Sequence, residues 1–496
     1  MKPKRAIISV WDKEGIIDMA RVLTSLQIEL IATSQTAKLL AEANIPVCEV
    51  SKFTGSDEIL GGRVKTLHPK IAAGILSLRK EPDISPIDMV VCNLYPFEQG
   101  LENNLPISEM IELIDIGGVT LLRSGAKNFE FVTVIPDKKY YPLVANELLA
   151  NQEVSLKTRA FLAAKTFELV SYYDALIAGY FSQRFLSADD QDFYTSGFIK
   201  KLKLRYGENP HQKGWYYQSP FTKFRFQQIH GKELSYNNLL DLDAAISVVW
   251  EFRDPACAII KHGSPCGVAL GPELETAYKK ALASDPESAF GGIVAMNHPV
   301  DKLVAQGLSR MFLEVVAAPQ FLPDAQDILK KKKNLRLIEY SGDLDALQLR
   351  SVLGGVLIQD RDLAWDDVGQ WRVVSRRQPT AQELEELLFA FKVVKFVKSN
   401  GIVISKDKAT VGISGGQTSR VRAVEIALKN AHNRTENAVL ASDGFFPFRD
   451  SIDLIAKSQI KAIVEPGGSI NDPEVIKAAD EHDISLVFSG VRHFRH

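Results

Sequence analysis

"RAIISVWDKEGIIDMARVLTSLQIELIATSQTAKLLAEANIPVCEV", residues 5–50, decides the fold class. Its apolar residues change period four times in forty-six positions. Residues 5–10 form a short apolar run that reads as a strand, and 13–26 have helical spacing. A second strand follows over 28–34, a second helix over 36–44 and a third strand over 46–50. Strand–helix alternation on this scale implies a parallel sheet with helices on its faces. Ligands of such sheets gather beyond the C-terminal strand ends. That rule places Ser9 and Lys13 after the first strand, and Thr33, Ser34 and Thr36 after the second, as candidate phosphate contacts. The same hydroxyls also read as plain helix N-caps.

The totals set the frame around this unit. A chain of 496 residues is too long for one core. With 46% hydrophobic and 24% charged residues it has the composition of a globular enzyme. A formal net charge of −2 gives no electrostatic reason to expect nucleic acid as a partner. The apolar stretch behind the basic N-terminus meets Asp12 and Lys13 too soon for a secretory leader. No apolar run approaches the roughly 18 residues of a membrane span, so no membrane is expected. Cys48, Cys92, Cys257 and Cys266 stand far apart without a CxxC, which favours a reducing, cytoplasmic setting.

Along the chain, 155–185 form one long periodic stretch that runs into the polar "SADDQD". The expected boundary separates 1–196 from 197–496, with the second part divided near 370/371. The second alternating region begins at "LKLRYGENPHQ", 202–212, and ends near residue 365. Thr380 and Glu383 make a capping box, and Leu384, Leu387, Leu388, Phe391 and Val394 form one buried stripe behind it. No internal repeat is visible. "KKKKN" at 330–334 reads as a solvated helix end.

Five clusters carry functional groups. "GGRVKTLHPK", 61–70, concentrates Arg63, Lys65, His68 and Lys70 beside paired glycines, fitting an anion or a surface turn. Asn93, Tyr95, Asp115 and Lys127 follow or end apolar runs and are expected to converge on one rim. "LRYGENPHQ", 204–212, is neither a good strand nor a good helix and reads as a binding loop. In "ACAIIKHGSPCGV", 256–268, Lys261 and His262 end an apolar strand. They read either as a snorkelling lysine beside a capping histidine or as a proton acceptor and donor. "SPCG" raises the zinc deaminases, but Ala269 stands where Pro-Cys-x-x-Cys requires a cysteine and no His-x-Glu occurs, so no metal is expected. The fifth cluster is C-terminal: "VKSNG" at 397–401, "GISGGQTSR" at 412–420, "SDGFFPFRD" at 442–450 and the closing "RHFRH".

The ordered set "LRYGENPHQ", "GKELSYNNLLDLDAA", "KHGSPCGVA", "SDPESAFGGIVAMN", "VKSNGIV", "SDGFFPFRD" and "GVRHFRH" resembles the bifunctional AICAR formyltransferase/IMP cyclohydrolase family of purine biosynthesis. "GGRVKTLHP", "NLYPF" and "IDIGG" resemble its cyclohydrolase half. The resemblance covers essentially the whole chain. It implies an α/β chain: a Rossmann-like, methylglyoxal-synthase-like parallel-sheet domain, then tandem cytidine-deaminase-like α/β/α units lacking zinc. It implies formyl transfer from 10-formyltetrahydrofolate to AICAR, giving FAICAR, and dehydrative closure of FAICAR to IMP, in a homodimer that needs no metal. By the same resemblance His262 is the base, Lys261 its partner, Asn400 an orienting amide and His496 a catalytic-site residue. Arg205, Tyr206, Arg492 and Phe494 would hold the nucleotide, with Gln417, Ser419 and Arg420 as further phosphate candidates. Phe445, Pro447, Phe448 and Asp450 would line the folate side. Lys65, Tyr95, Asp115 and Lys127 would serve cyclisation, with Arg63, Thr66 and Asn93 on the substrate.

The chain also departs from the family's usual pattern. Trp11 replaces a small hydroxyl, Ser34–Gln35 replace paired glycines, Ala72 and Phe129 stand where histidines are common, and Glu465 replaces a glutamine. An active transformylase with an impaired cyclohydrolase half therefore stays open beside the bifunctional reading, as does a nucleotide-binding regulator. The tail is expected to dock beside Lys261–His262.

Overall fold

The computed structural model describes residues 2–363 and 368–496, apart from the Ala188 side chain. The expected end of the second alternating region, near residue 365, lies outside them. The chain forms two compact units, Met1–Ile199 with Gln218–Phe221, and Lys200–Tyr217 with Thr222–His496.

The first unit is built on β1 Arg5–Ser9, β2 Glu29–Ala32, β3 Cys48–Glu49, β4 Met89–Cys92 and β5 Thr133–Ile135. Their order is β3-β2-β1-β4-β5, and every pairing is parallel. Ala6, Ile7 and Ile8, like Met89, Val90 and Val91, are fully buried, because helices cover both faces of a parallel sheet. The third strand is only two residues long, since the chain turns into the helix Val50–Thr54 at once. Strand order reverses between β1 and β4, so the crevice of this sheet opens beyond Ser9 and Cys92. The long helix Leu156–Phe185 is capped by the Ser155 hydroxyl, which accepts from Thr158 N, and it buries Leu162 and Val170 in this core.

β6 Ile199–Lys203 and β7 Trp215–Gln218, in the second unit but for Ile199 and Gln218, pair as a ribbon. The main sheet uses β8 Arg225–His230, β9 Ala256–Lys261, β10 Ser264–Leu270, β11 Ile293–Met296, β12 Val315–Ala318 and β13 Arg336–Ser341. After the hairpin β14 Leu347–Val352 and β15 Gly355–Asp360 come β16 Arg372–Val373, β17 Ile402–Lys406, β18 Ala409–Ser414, β19 Val439–Ser442, β20 Ala462–Glu465 and β21 Ser485–Phe488. The sheet runs β16-β21-β20-β19-β17-β18-β10-β9-β11-β12-β13-β8. From the centre outward the halves read β10-β9-β11-β12-β13-β8 and β18-β17-β19-β20-β21-β16, with the same parallel and antiparallel sense at each step.

The second unit thus contains an architectural repeat that residue-by-residue reading misses. Buried strands accept any well-packed set of Val, Ile, Leu and Ala, so a repeated architecture leaves little trace in residue identity. The halves share one mixed sheet, joined where Ala269 pairs with Ala409. The helices Tyr236–Trp250 and Ala381–Val394 contribute to a common core on one face, while each half keeps its own core on the other.

Candidate active sites

In the first unit the β1 and β4 ends are knitted together by one amide. Asn93 Oδ1 accepts from Trp11 N at 2.5 Å and Asp12 N at 3.1 Å, and its Nδ2 donates to Asp12 O at 2.9 Å. The two backbone N–H groups of the altered loop are therefore spent on Asn93. Trp11, 51% exposed, stands edge-on to Tyr95 with ring centroids 5.2 Å apart. Asp115 lies under the same rim, its Oδ1 accepting from Gly118 N at 2.6 Å and its own N–H donating to Tyr173 Oη at 2.8 Å. A Cβ on Gly118 would stand 2.4 Å from Asp115 Oδ2, so only glycine lets the helix start this close to the acid. Burial raises the Asp115 carboxyl above its ordinary value, and burial followed by the Asp115 charge raises the Tyr95 phenol.

The "GGRVKTLHPK" loop supplies the other wall. Lys65 Nζ pairs with Glu58 Oε2 at 3.3 Å, and Ser34 Oγ donates to Glu58 Oε1. Thr66 is buried, its hydroxyl 2.7 Å from where a Cβ on Gly117 would stand. Lys13 donates to Val10 O, and burial lowers its amine, with Lys65 adding to the effect. Ser9 and Thr33 sit at their strand ends, Thr33 at an N-cap position without a side-chain bond. Thr36 is fully buried and turned to Val10 O at 3.4 Å, so it faces the interior and not a ligand. Arg63 is drawn off to Glu112 at the surface. His68 Nδ1 caps its helix and Lys70 bonds Phe53 O, so both are structural.

Lys127 does not join this rim. It ends the helix Gly117–Lys127 whose start lies by Asp115, about 15 Å away along the axis. The neighbouring Asn128 bonds Ile75 O and Ser77 O near the opposite sheet edge. The expected convergence therefore holds for Asn93, Tyr95 and Asp115 alone. Ala72 lies in the helix Pro69–Leu76, and Phe129 packs against the core. Glu58 and Tyr173 were not foreseen; Glu58 had a signal, being one of two adjacent acids, Asp57 and Glu58, just before a basic glycine loop.

In the second unit one sheet edge carries the C-terminal ends of β9 and β19–β21 and the N-terminal ends of β11–β13 and β17. At the end of β9, His262 and Gly263 form the two-residue turn into β10, with φ of 55° and 70°. Positive φ at both positions is the I′ hairpin turn, and for histidine that conformation costs about 1–2 kcal/mol. Lys261 Nζ donates to Phe290 O at 2.8 Å, and the Phe290 ring lies 5.3 Å from that of Phe312. Phe312 lines a hollow of about 160 Å³ with Arg205, Tyr206, Glu314 and Arg336. Arg205 donates to Tyr206 Oη at 2.9 Å. Lys261, Arg205 and Tyr206 thus belong to one region, which also holds Glu314, a residue sequence reading passed over.

The chain end is docked. Ser489 N bonds Glu465 O, His493 N bonds Asp443 O at 3.0 Å, and Ser399 N bonds Arg495 O at 3.0 Å. His493, 1% exposed, holds Asp362 Oδ2 at 2.6 Å and meets the Phe391 ring edge-on at 4.9 Å. Arg492, Phe494 and His496 alternate outward, with Phe494 over Gly444 and His496 O accepting from Arg350 Nη1 at 2.9 Å. Asn400 stands beside this tail, its Nδ2 donating to Gln417 O at 2.8 Å. The tail does not, however, dock beside Lys261–His262 of its own chain. The tail reaches Ser399 at the start of β17, and β10 and β18 still separate β17 from β9, roughly 14 Å at the usual strand spacing.

Phe445 and Phe448 are 39% and 57% exposed, whereas Phe446 is core. Pro447 O accepts from Asn471 Nδ2 at 2.7 Å, and Asp450 starts a short helix, accepting from Ser451 N. Ser419 is exposed at an N-cap position. Arg420 is buried against Asp443 and Ser442 Oγ, so its guanidinium braces the strand end instead of facing a ligand. Glu465 is fully buried; Oε2 accepts from Phe446 N and Oε1 has no partner among the described residues. Burial pushes its carboxyl up to about 8. Among the described residues no group of His, Cys, Asp and Glu is placed to hold a metal, and no helix is long and apolar enough to cross a membrane.

A family profile for the AICARFT/IMPCHase bienzyme matches residues 125–430, more than half of the chain. This chain belongs to that family. An MGS-like domain profile matches residues 15–120, within the parallel-sheet unit. The "Bifunctional purine biosynthesis protein PurH" of Persephonella marina is 49% identical over 99% of this chain and all of its own length. The proteins of the same name from Fusobacterium nucleatum and Caldicellulosiruptor saccharolyticus are 49% and 48% identical, again over 99% of this chain and their whole length. The bienzyme family thus spans both units, each of which carries a separate cluster of polar groups at a sheet edge.

Proposed function

We propose that the chain catalyses two consecutive steps of purine synthesis: formyl transfer from 10-formyltetrahydrofolate to AICAR, then closure of FAICAR to IMP. The observation that carries this reading is the end-to-end match to relatives named bifunctional, across both polar clusters. In the first step the aromatic amine, a weak nucleophile, attacks the formyl carbon. His262 takes the amine proton and Lys261 stabilises the developing oxyanion. The carbon–N10 bond then breaks and N10 leaves with the proton that His262 gives up, which returns the imidazole to its neutral form. Arg205 and Tyr206 hold the nucleotide, Asn400 orients the formyl oxygen, and Phe445 and Phe448 flank the folate ring.

Closure is intramolecular, so holding the carboxamide nitrogen against the formyl carbon already supplies much of the acceleration. Asp115, Tyr95 and Lys65 move protons and support the oxyanion as water leaves, and Lys13 faces the phosphate. We place the protein in the cytoplasm, the setting its four free cysteines favour.

The working form is a homodimer. Lys261–His262 and the tail lie too far apart to form one site within a chain, so a second copy brings them together. The hairpin β14–β15 supports this. It leaves Leu349, Val356, Leu357 and Ile358 between 39% and 59% exposed, and a free two-stranded hairpin is marginal in water. Purified protein given AICAR and 10-formyltetrahydrofolate should yield IMP, and given FAICAR alone should also yield IMP. Absence of the second conversion defeats the bifunctional reading.

A further inference from the structure

We infer that Asp241 is a positioning residue for formyl transfer: its carboxylate locks the His262–Gly263 turn and thereby aims the imidazole. The inference rests on the function proposed for Lys261–His262. Asp241 lies in the helix Tyr236–Trp250, which starts with a full capping box between Ser235 and Asn238. Oδ1 accepts from Gly263 N at 2.6 Å and Oδ2 from His262 N at 3.2 Å, so both amides of the turn end on one carboxylate. Histidine enters the left-handed region only under strain, and the paired bonds oppose relaxation of that strain. Lys261 is held separately through Phe290 O, which leaves Asp241 as the group that determines where His262 points.

The architectural repeat supplies a built-in comparison. The β17–β18 turn is Asp407–Lys408, again with positive φ at both residues, 54° each. Glu386 holds the place in the helix Ala381–Val394 that Asp241 holds in Tyr236–Trp250, the sixth residue of each. It accepts from Lys408 N at 2.8 Å through Oε2, while Oε1 has no partner among the described residues. One gripped amide therefore suffices to hold this turn. The shorter aspartate grips two, and does so under the turn that carries histidine.

Asp241→Asn keeps the shape but offers one acceptor in place of two, its amide N–H₂ opposing a backbone N–H. In the full-length protein, kcat for formyl transfer should fall about 10- to 100-fold with the KM for AICAR within about twofold. FAICAR cyclisation by the same preparation should be unchanged. Glu386→Gln makes the same acid-to-amide change at the equivalent turn while keeping the one acceptor used there, and should leave kcat within about twofold. Gly263→Ala, with no atom within 4 Å of the new Cβ but a strained φ of 70°, should reproduce the Asp241→Asn pattern without a packing clash. Wild-type kcat in both Asp241→Asn and Gly263→Ala overturns the inference alone, as does a loss confined to KM or shared equally by Glu386→Gln. Wild-type protein that transfers no formyl group overturns the inference and the function beneath it.

Discussion

Replacing Glu465 by glutamine tests a fully buried acid of the second unit. The carboxyl is fully buried at the end of β20 with one bonded oxygen and one that has no partner among the described residues, and burial pushes its pKa up to about 8 from an ordinary 4.5. The folded chain therefore keeps a proton that the unfolded chain releases above pH 4.5, so stability falls as pH rises from about 4.5 to about 8 and levels off beyond. At 1.36 kcal/mol per pH unit the full cost is about 5 kcal/mol, and about 3 kcal/mol is already present at pH 7. Glutamine carries no charge at any of these pH values and keeps an acceptor for Phe446 N, while its unplaced amide N–H₂ costs about 1–3 kcal/mol. Glu465→Gln should therefore be near neutral or destabilising at pH 5.5 and stabilising by about 2–4 kcal/mol at pH 8.5. For a unit of this size that gain is a rise of roughly 4–8 °C in the Tm of its calorimetric transition. Scans of both proteins at pH 5.5, 7 and 8.5 are the assay. A Tm difference that stays constant with pH, or that moves against the variant as pH rises, refutes the reasoning.

Three further outcomes can be checked on the purified protein. Lys261→Ala should abolish folate-dependent formyl transfer and leave FAICAR cyclisation at its wild-type rate; joint loss contradicts separate sites. Deleting Phe494 to His496 removes the Ser399–Arg495 and Arg350–His496 bonds together with the Phe494 ring over Gly444, and should cut formyl transfer at least about 100-fold while sparing cyclisation. Leu357→Asp, at a hairpin position 59% exposed in the single chain, should shift the protein toward monomer in sedimentation and lower formyl transfer in parallel. A dimer that survives with full activity would remove the hairpin from the interface.

Much of the fold was legible because the signals are local. Strand and helix period over residues 5–50 and the Thr380–Glu383 box are each written within a few residues. The polar clusters were legible as sets of residue types, and Asn93, Tyr95 and Asp115 meet as expected. What failed was direction. Thr36 and Arg420 look like ligand groups in sequence, yet one turns inward to Val10 O and the other is consumed by Asp443. Lys127 sits a fixed number of residues from Asp115, but the helix between them turns that spacing into distance.

The tail shows the division most clearly. The sequence by itself determined that "RHFRH" closes a chain of this family, and with it the fold class and the two chemistries to expect. Only the tertiary structure decided that His493 and Arg495 face inward while Arg492, Phe494 and His496 face out, and that β10 and β18 stand between this tail and His262. The physical reason is range. Period, capping and turn chemistry act over a few residues, whereas strand order is settled by burial of whole faces among elements hundreds of residues apart.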